Sequence, residues 1–138
     1  MPYNKKKKII FIHIPKCAGT TIAKALDMYG KDGPHTLDLD HLYGFDDDDK
    51  IVLHTSCFKY YKNYLPIETI QSCFVFGIVR NPYDRILSDY SWSNRGCDSF
   101  HEFVLLVEKT LEEKTDEELM IFNKQYHWNH YLPQYKYI

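Results

Sequence analysis

Apolar residues in this chain fall into short runs separated by segments with helical spacing. The runs Lys8–Ile14 and Cys73–Val79 are rich in Ile, Val and Phe and have the length of buried strands, and Ile51–His54 predicts a further short strand. Cys73–Val79 is apolar on both faces, which is typical of a strand at the centre of a parallel sheet that helices cover. The pattern therefore predicts three strands spread along the chain.

Segments of helical periodicity lie between and after these strands. Thr20–Tyr29 places its apolar side chains on one face, and Phe58–Gln71 is expected to be helical in part because Pro66 interrupts it. Asn81 is a favoured N-cap residue and Pro82 a favoured first helical residue, so together they predict the start of a further helix.

Two capping-box patterns mark the starts of the last helices. Ser99 is followed by Glu102, and Thr115 by Glu118, which is the spacing at which these side chains bond reciprocally to the backbone. The second pattern precedes a predicted helix over Leu119–Tyr126. The alternation of strands and helices predicts an α/β fold, with a small parallel sheet, right-handed crossovers and flanking helices.

Length and composition indicate one globular unit, so we expect residues 1–138 to form a single domain. The formal net charge of −2 excludes a general nucleic-acid-binding role, because that role needs a strongly basic surface. Any bound anion must therefore be held by a local group of residues. Arginine is well suited to this task, and all the arginines lie in one short segment: Arg80, Arg85 and Arg95.

Nothing in the sequence indicates export or membrane insertion. The apolar run after Lys5–Lys8 stops at His13 and Pro15, which is too short for a signal peptide, and no stretch has the length of a membrane span. The cysteines form no C-x-x-C pair, so free thiols are expected rather than a zinc ribbon or a thioredoxin-type site. We expect a soluble, cytoplasmic chain with a solvated acidic loop over Asp38–Lys50.

The first candidate site is the segment HIPKCAGTT between the first strand and the first helix. Backbone N–H groups at a helix start favour an anion, Gly19 allows close approach, and Lys16 adds a positive charge. The hydroxyls of Thr20 and Thr21 complete a phosphate cradle. The residue order differs from the Walker A pattern and from G-x-G-x-x-G. Alone, the segment fits an anion-binding loop and an ordinary strand–helix loop equally well.

The second candidate site begins where the third strand ends. Arg80 follows that strand, at the edge where open α/β sheets bind ligands, and a guanidinium can bind a phosphate with two hydrogen bonds. Ser88 lies two turns into the next helix and can add a hydroxyl to the same anion. The alternative is a salt bridge from Arg80 or Arg85 to Asp84 or Asp89, and Arg85 stays unassigned.

Together, the segments FIHIPKCAGTTI and FGIVRNPYDRILSDY resemble the PAPS-dependent sulfotransferases. PAPS is 3′-phosphoadenosine 5′-phosphosulfate. The likeness is to the carbohydrate (Golgi-type) family, which includes heparan 2-O-sulfotransferase and the chondroitin and dermatan enzymes. The closing segment HYLPQY is similar to a His/Pro-Gln segment of these enzymes, so the resemblance extends from Phe11 to Tyr135. It implies a P-loop NTPase-like sulfotransferase core.

The resemblance also implies an activity and a set of site residues. In that family the loop after the first strand binds the 5′-phosphosulfate, and an Arg and a Ser bind the 3′-phosphate. The implied reaction transfers sulfonate from PAPS to a hydroxyl of an acceptor, a carbohydrate. The residues implied for donor binding are Lys16, Cys17, Ala18, Gly19, Thr20, Thr21, Arg80 and Ser88.

Sulfuryl transfer, like phosphoryl transfer, depends on positioning and charge stabilisation, so Lys16 is the candidate for stabilising the leaving phosphate. His54 is the candidate general base, because its predicted strand end lies at the same sheet edge and family members use a histidine at a comparable place. His13 is expected to pack in its strand, and His127 and His130 to be structural or acceptor contacts. No metal site is expected.

Two other functions stay open at this point. A P-loop kinase or related NTP-dependent transferase would use similar loops, although a Walker lysine and a magnesium-binding Asp are not evident. A module that binds 3′,5′-ADP or a sulfated glycan without turnover is the other, because family members are usually longer and the chain is expected to be compact or C-terminally truncated. The Golgi anchor of the family is also not evident.

Overall fold

The computed structural model describes residues 2–30, 33, 35–46, 51–120 and 127–138. Short 3-10 helices lie at Leu53–Thr55, Phe58–Asn63, Trp128–His130 and Gln134–Tyr137. Along the chain, the strands and α-helices are β1 (Tyr3–Asn4), β2 (Ile9–Ile12), α1 (Gly19–Ala25), β3 (Phe45–Asp46), β4 (Ile51–Val52), α2 (Ile67–Gln71), β5 (Phe74–Gly77), α3 (Pro82–Trp92), α4 (Phe100–Glu113) and α5 (Asp116–Met120).

A three-stranded sheet in the order β1-β2-β5 forms the centre of the fold. β2 and β5 are parallel, with Ile12 opposite Gly77 at their carboxyl ends, and β1 is antiparallel to β2. The prediction of a mixed α/β fold with a small sheet and helices is confirmed. The parallel part is limited to the β2–β5 pair among the described residues, and the P-loop NTPase-like core stays a prediction.

The position of β5 in this sheet differs from the prediction. In the sheet formed by the described residues, β5 is an edge strand and β2 occupies the centre; Phe74 at the start of β5 is 68% exposed. Val75 and Phe76 pack against two different core clusters, which explains why the run is apolar on both faces. An apolar run therefore indicates that both faces of a strand are covered. It does not indicate that the strand has a hydrogen-bonded neighbour on each side.

The strand predicted over Ile51–His54 is shorter and lies outside the main sheet. β4 ends at Val52 and pairs antiparallel with β3, so the prediction that His54 ends a parallel strand is wrong. The backbone instead turns into a 3-10 helix at Leu53–Thr55. β3 itself lies within the acidic stretch predicted as a loop, of which residues 47–50 lie outside the described residues.

The predicted capping residues act as expected. Asn81 accepts a hydrogen bond from the Tyr83 N–H at the start of α3, and Ser99 accepts one from Glu102 at the start of α4. Before α5, the Thr115 and Glu118 side chains bond reciprocally to each other's backbone N–H groups. Residues 121–126 of the last predicted helix lie outside the described residues.

α1 ends earlier than predicted, at Ala25. Met28 donates to the carbonyl of Ala23 at 2.7 Å, and Asp27 donates to Lys24 at 3.3 Å. These two bonds form a Schellman motif in which Asp27, at φ 56°, takes the left-handed position usually held by Gly. Because a residue other than Gly holds this position, the sequence contains no clear signal that α1 ends at Ala25.

β2 is buried on both faces and contributes residues to two of the core clusters. Ile10 and Ile12 point to a cluster that includes Leu132 and Tyr137 of the C-terminal segment, whereas Phe11 packs on Met28 and its neighbours. The C-terminal segment therefore lies against the sheet, close to the ends of its strands. No helix in the described part of the chain is long and apolar enough to cross a membrane.

Candidate functional site

The two predicted anion-binding segments leave the same edge of the sheet. β2 and β5 are parallel neighbours that end at Ile12 and Gly77, so the segments that follow them lie side by side. Arg80 Nη1 donates a hydrogen bond to the Lys16 carbonyl oxygen at 3.3 Å. The chain thus brings together cations that are far apart in sequence.

A cavity of about 510 Å³ opens between these segments. Of the predicted site residues, Cys17 is the one that does not line it. Cys17 is buried behind the loop, where its thiol donates to Gln134 Oε1 at 3.3 Å, and burial raises the pKa of that thiol. The predicted residues that line the cavity are Lys16, Ala18, Gly19, Thr20, Thr21, His54, Arg80 and Ser88.

The loop after β2 has an unusual backbone. Lys16 at φ 65° and Ala18 at φ 61° both take the left-handed conformation, which costs about 1 kcal/mol or more at each residue other than Gly. Residues alternating in this way turn their N–H groups into a concave surface that suits anions. Among the described residues, the N–H groups of Gly19, Thr20 and Thr21 donate to no other group.

Gly19 is required by close packing rather than by its backbone angles. A Cβ atom at Gly19 would lie 1.8 Å from Cδ2 of the His13 ring. His13 is buried, and burial lowers its pKa to about 3, so the ring is neutral. Its Nδ1 has no hydrogen-bond partner in the described part of the chain. His13 is packed as predicted, although β2 ends one residue before it at Ile12, and its ring lies directly beneath Gly19 of the loop.

Lys16 is half-buried and directs its ammonium group to an aromatic wall of the cavity. Its Nζ lies 4.9 Å from the centre of the Trp92 ring, in the geometry of a cation–π interaction. Burial lowers the pKa of Lys16, which the nearby Asp89 carboxylate partly offsets. Among the described residues, no carboxylate forms an ion pair with Lys16, so the cavity holds a positive charge that is not neutralised by direct contact there.

Gln134 joins this loop to the Arg80 segment, and its role was not predicted. Its side-chain amide exchanges two hydrogen bonds with the main chain of Arg80, both at 2.8 Å, while the Arg80 side chain is exposed at the cavity. The same Gln134 oxygen accepts the Cys17 thiol. The similarity of the Pro-Gln segment to the sulfotransferases was the signal that pointed to this residue.

Arg85 has a structural role. Its guanidinium donates to the carbonyl oxygens of Pro15 and Leu132 at 3.0 Å and of His130 at 2.6 Å. The alternative of a salt bridge to Asp84 or Asp89 is wrong for this residue, because its donors are directed to the backbone. Arg85 therefore fastens the loop after β2 to the C-terminal segment from beneath the cavity.

His54 lies in the cavity wall although the predicted strand end is absent. Its ring stacks on Tyr43, with 4.2 Å between ring centres and an angle of 8°, and its Nδ1 accepts the Gly44 N–H at 3.3 Å. Burial and the neighbouring His13 ring hold the pKa of His54 well below its ordinary value. The ring is therefore neutral and fixed in orientation.

A second histidine in this wall was not predicted as a reactive residue. His130 Nδ1 lies 2.6 Å from Oδ1 of Asp89, and Arg95 Nη2 lies 3.2 Å from the other carboxylate oxygen. Burial alone would raise the pKa of Asp89, but the hydrogen bond from His130 and the charge of Arg95 hold it below its ordinary value. Two features of the sequence pointed to this pair: His130 belongs to an H-x-x-H motif, and Asp89 directly follows the predicted site residue Ser88.

The described residues contain no group of three or more His, Cys, Asp and Glu side chains arranged to hold a metal ion. The residues that line the cavity supply cations, hydroxyls, backbone N–H groups and the rings of three histidines, His13, His54 and His130. Such a set can bind an anion at two places, stabilise negative charge that develops between them, and accept a proton.

Comparison with known proteins gives an independent result. No curated protein and no solved structure matches the chain. A family model described as the sulfotransferase family matches residues 1–135, which is nearly the whole chain and includes every residue that lines the cavity. The chain therefore belongs to the sulfotransferase family.

Proposed function

We propose that this protein transfers the sulfonate group of PAPS to a hydroxyl group of a carbohydrate acceptor. One observation carries the proposal: the segment around Lys16 and the segment around Arg80 line a single cavity at one sheet edge. Membership of the sulfotransferase family supports sulfonate transfer in general. The donor, the acceptor class and the residue roles go beyond that family match.

The donor fits the distribution of charge in the cavity. PAPS carries two separate anionic ends, and the cavity offers cations and hydroxyls on two segments. We assign the 3′-phosphate to Arg80 and Ser88, which line the cavity from the segment after β5 and from α3. The 5′-phosphosulfate is assigned to the P-loop-like segment from Lys16 to Thr21, whose exposed hydroxyls and unpaired N–H groups supply donors.

Lys16 and His54 are the proposed catalytic residues. As the sulfonate leaves, negative charge develops on the bridging oxygen of the 5′-phosphate, and we assign the stabilisation of that charge to the Lys16 ammonium. A cation that is partly withdrawn from water acts more strongly on that charge than one in bulk solvent. His54 lines the same cavity and stacks on Tyr43, and we assign it a contact with the reacting groups.

We assign the acceptor to a recess that lies beside the donor cavity. The recess has a volume of about 200 Å³ and is lined by aromatic rings that include Phe45 and Trp92 and by polar groups that include Asn129 and His127. Aromatic faces with a few polar groups suit a sugar, which has apolar C–H faces and hydroxyl edges. His54 and His130 line both the recess and the cavity, so an acceptor hydroxyl could reach the sulfonate there.

The proposal is tested by measuring the release of 3′,5′-ADP from PAPS in the presence of unsulfated chondroitin or heparosan as the acceptor. We expect turnover that needs PAPS and is unchanged by EDTA, and incorporation of sulfonate into one of the glycans. ATP with magnesium in place of PAPS should give no transfer. Magnesium-dependent ATP turnover would contradict the proposal in favour of a kinase. Binding of 3′,5′-ADP without turnover would leave only a binding module.

A further inference from the structure

We propose that His130, held by Asp89, is the base that accepts the proton of the acceptor hydroxyl, and that His54 acts instead as a hydrogen-bond donor. The inference rests on the proposed sulfonate transfer and changes the role that the sequence alone gives to His54. It follows from the hydrogen bonds that decide which ring nitrogen of each histidine carries a proton.

The bonding of His130 leaves its outer nitrogen free to accept a proton. Nδ1 lies 2.6 Å from Asp89 Oδ1, and a carboxylate only accepts, so Nδ1 carries the hydrogen. Asp89 is kept ionised by Arg95, whose side chain is fully buried against it. Neutral His130 then has a lone pair on Nε2, which has no hydrogen-bond partner among the described residues.

In His54, by contrast, the hydrogen bond to the protein places the ring proton on Nε2. Its Nδ1 accepts the Gly44 N–H at 3.3 Å, and a backbone amide only donates, so the hydrogen of the neutral ring is on Nε2. The Gly44 carbonyl accepts the Leu53 N–H at 2.9 Å, which fixes this amide against the His54 turn. The lone pair of His54 is thus turned to the backbone, and Nε2–H is a donor.

His130 is also close to the charge that the reaction needs. The centres of the Trp92 and His130 rings are 5.0 Å apart, and Lys16 Nζ lies 4.9 Å from the centre of the Trp92 ring. Both residues line the same cavity. A hydroxyl bound beside Trp92 would therefore meet a proton acceptor on one side and the sulfonate held near Lys16 on the other.

The acceptor oxygen forms a bond to sulfur while the bond from sulfur to the bridging oxygen of the 5′-phosphate breaks. The electron pair of the broken bond stays on that phosphate oxygen, beside Lys16, and 3′,5′-ADP is released. The hydroxyl proton moves to His130 Nε2, and the imidazolium is stabilised by the Asp89 carboxylate, as in other Asp–His pairs. Asp89 is thus a positioning residue.

Nitrogen NMR of histidine in the wild-type chain, saturated with 3′,5′-ADP, tests the assignment without depending on an acceptor. With ¹⁵N-labelled histidine at pH 7.5, we expect the Nδ1–H form for His130 and the Nε2–H form for His54. The His130→Gln and His54→Gln spectra assign the signals. In Asp89→Asn, the preference of His130 for Nδ1–H should weaken. A wild-type His130 with its proton on Nε2 would overturn the proposal.

Turnover of the same variants gives a second test, in which 3′,5′-ADP release from PAPS is followed with unsulfated chondroitin and with water alone. His130→Gln should lower kcat by about 10²–10⁴-fold with little change in KM for PAPS. The control is His101→Gln, an exposed histidine on α4, which should turn over at the wild-type rate. Near-normal kcat in a folded His130→Gln chain would overturn the assignment.

The two proposals fail in different ways. A wild-type chain that does not bind 3′,5′-ADP would overturn sulfonate transfer from PAPS itself. Normal binding of 3′,5′-ADP with the tautomers of His130 and His54 reversed would overturn only the assignment of the base.

Discussion

The side-chain amide of Gln134 is paired with the main chain of Arg80 as one strand pairs with another. The Arg80 N–H donates to Gln134 Oε1, and Gln134 Nε2 donates to the Arg80 carbonyl oxygen, each at 2.8 Å. Oε1 also accepts a hydrogen bond from the Cys17 thiol. One side chain of the C-terminal segment therefore bonds to both the loop after β2 and the Arg80 segment. The position of Arg80 therefore depends on a residue more than fifty positions away.

Gln134→Glu tests this connection with almost no change in shape. The new oxygen faces the Arg80 carbonyl oxygen and repels it, so we expect a loss of about 1–3 kcal/mol in the binding free energy of 3′,5′-ADP. Isothermal titration calorimetry measures it. Gln71→Glu, at the exposed end of α2, adds the same charge and should bind normally. Equal affinities of the two variants would show that Gln134 does not position Arg80.

Arg85→Met should lower the free energy of unfolding by about 3 kcal/mol or more. The substitution removes a buried guanidinium and leaves the carbonyl oxygens of Pro15, Leu132 and His130 without their donors. Urea unfolding measures the loss. Arg80→Met is the matched control, since Arg80 is exposed, and it should cost less than about 1 kcal/mol. Similar losses would mean that these three bonds add little.

The contact of Gly19 with His13 can be tested by a double-mutant cycle. Gly19→Ala alone should destabilise the chain by about 1–3 kcal/mol, because the new Cβ overlaps the His13 ring. In a His13→Ala background the ring is gone, so adding Gly19→Ala should cost much less. Unfolding free energies of the four chains give the coupling. Additive effects would mean that another cause makes Gly19 necessary.

Acid should destabilise the fold through His13. Burial lowers its pKa from 6.5 to about 3 in the folded chain, so between these values the unfolded chain binds one more proton. The stabilising contribution is complete above pH 6.5 and falls by about 1.4 kcal/mol per pH unit as the pH drops towards 3.

Comparison at pH 7 and pH 5 makes the acid effect measurable. Between these values the wild type should lose about 2 kcal/mol more unfolding free energy than His13→Leu, which cannot titrate at this position. An equal loss in wild type and His13→Leu would mean that His13 is not the group that titrates.

The sequence predicted the parts of this structure that depend on local patterns. The caps at Asn81, Ser99 and Thr115 follow from side chains that bond within a few residues, and the structure has all of them. The loop containing Lys16 and the segment containing Arg80 could be paired because parallel strands end at the same edge. The caps need no knowledge of distant contacts, and the pairing of the two segments needs only the expectation that their strands are parallel.

Most of the features that sequence analysis missed depend on tertiary contacts. The position of β5 is set by its pairing with β2, and the His54 ring is held by Gly44 and Tyr43, outside its own turn. The pairing of Asp89 with His130 is of the same kind, since forty-one positions separate the partners. Asp27 is different, because its Schellman motif is local but uses a residue other than Gly. The residue types indicated reactive groups, but only the fold decides which partner each histidine nitrogen has.

Binding of 3′,5′-ADP and of 5′-AMP to the wild type and to Arg80→Ala, measured by calorimetry, tests the central claim most directly. The wild type should prefer 3′,5′-ADP, because only this ligand has the second anion. Arg80→Ala should lose about 1.5–3 kcal/mol of binding free energy for 3′,5′-ADP and almost none for 5′-AMP. Equal weakening of both ligands, or a wild type that does not distinguish them, would contradict the assignment of this cavity to PAPS.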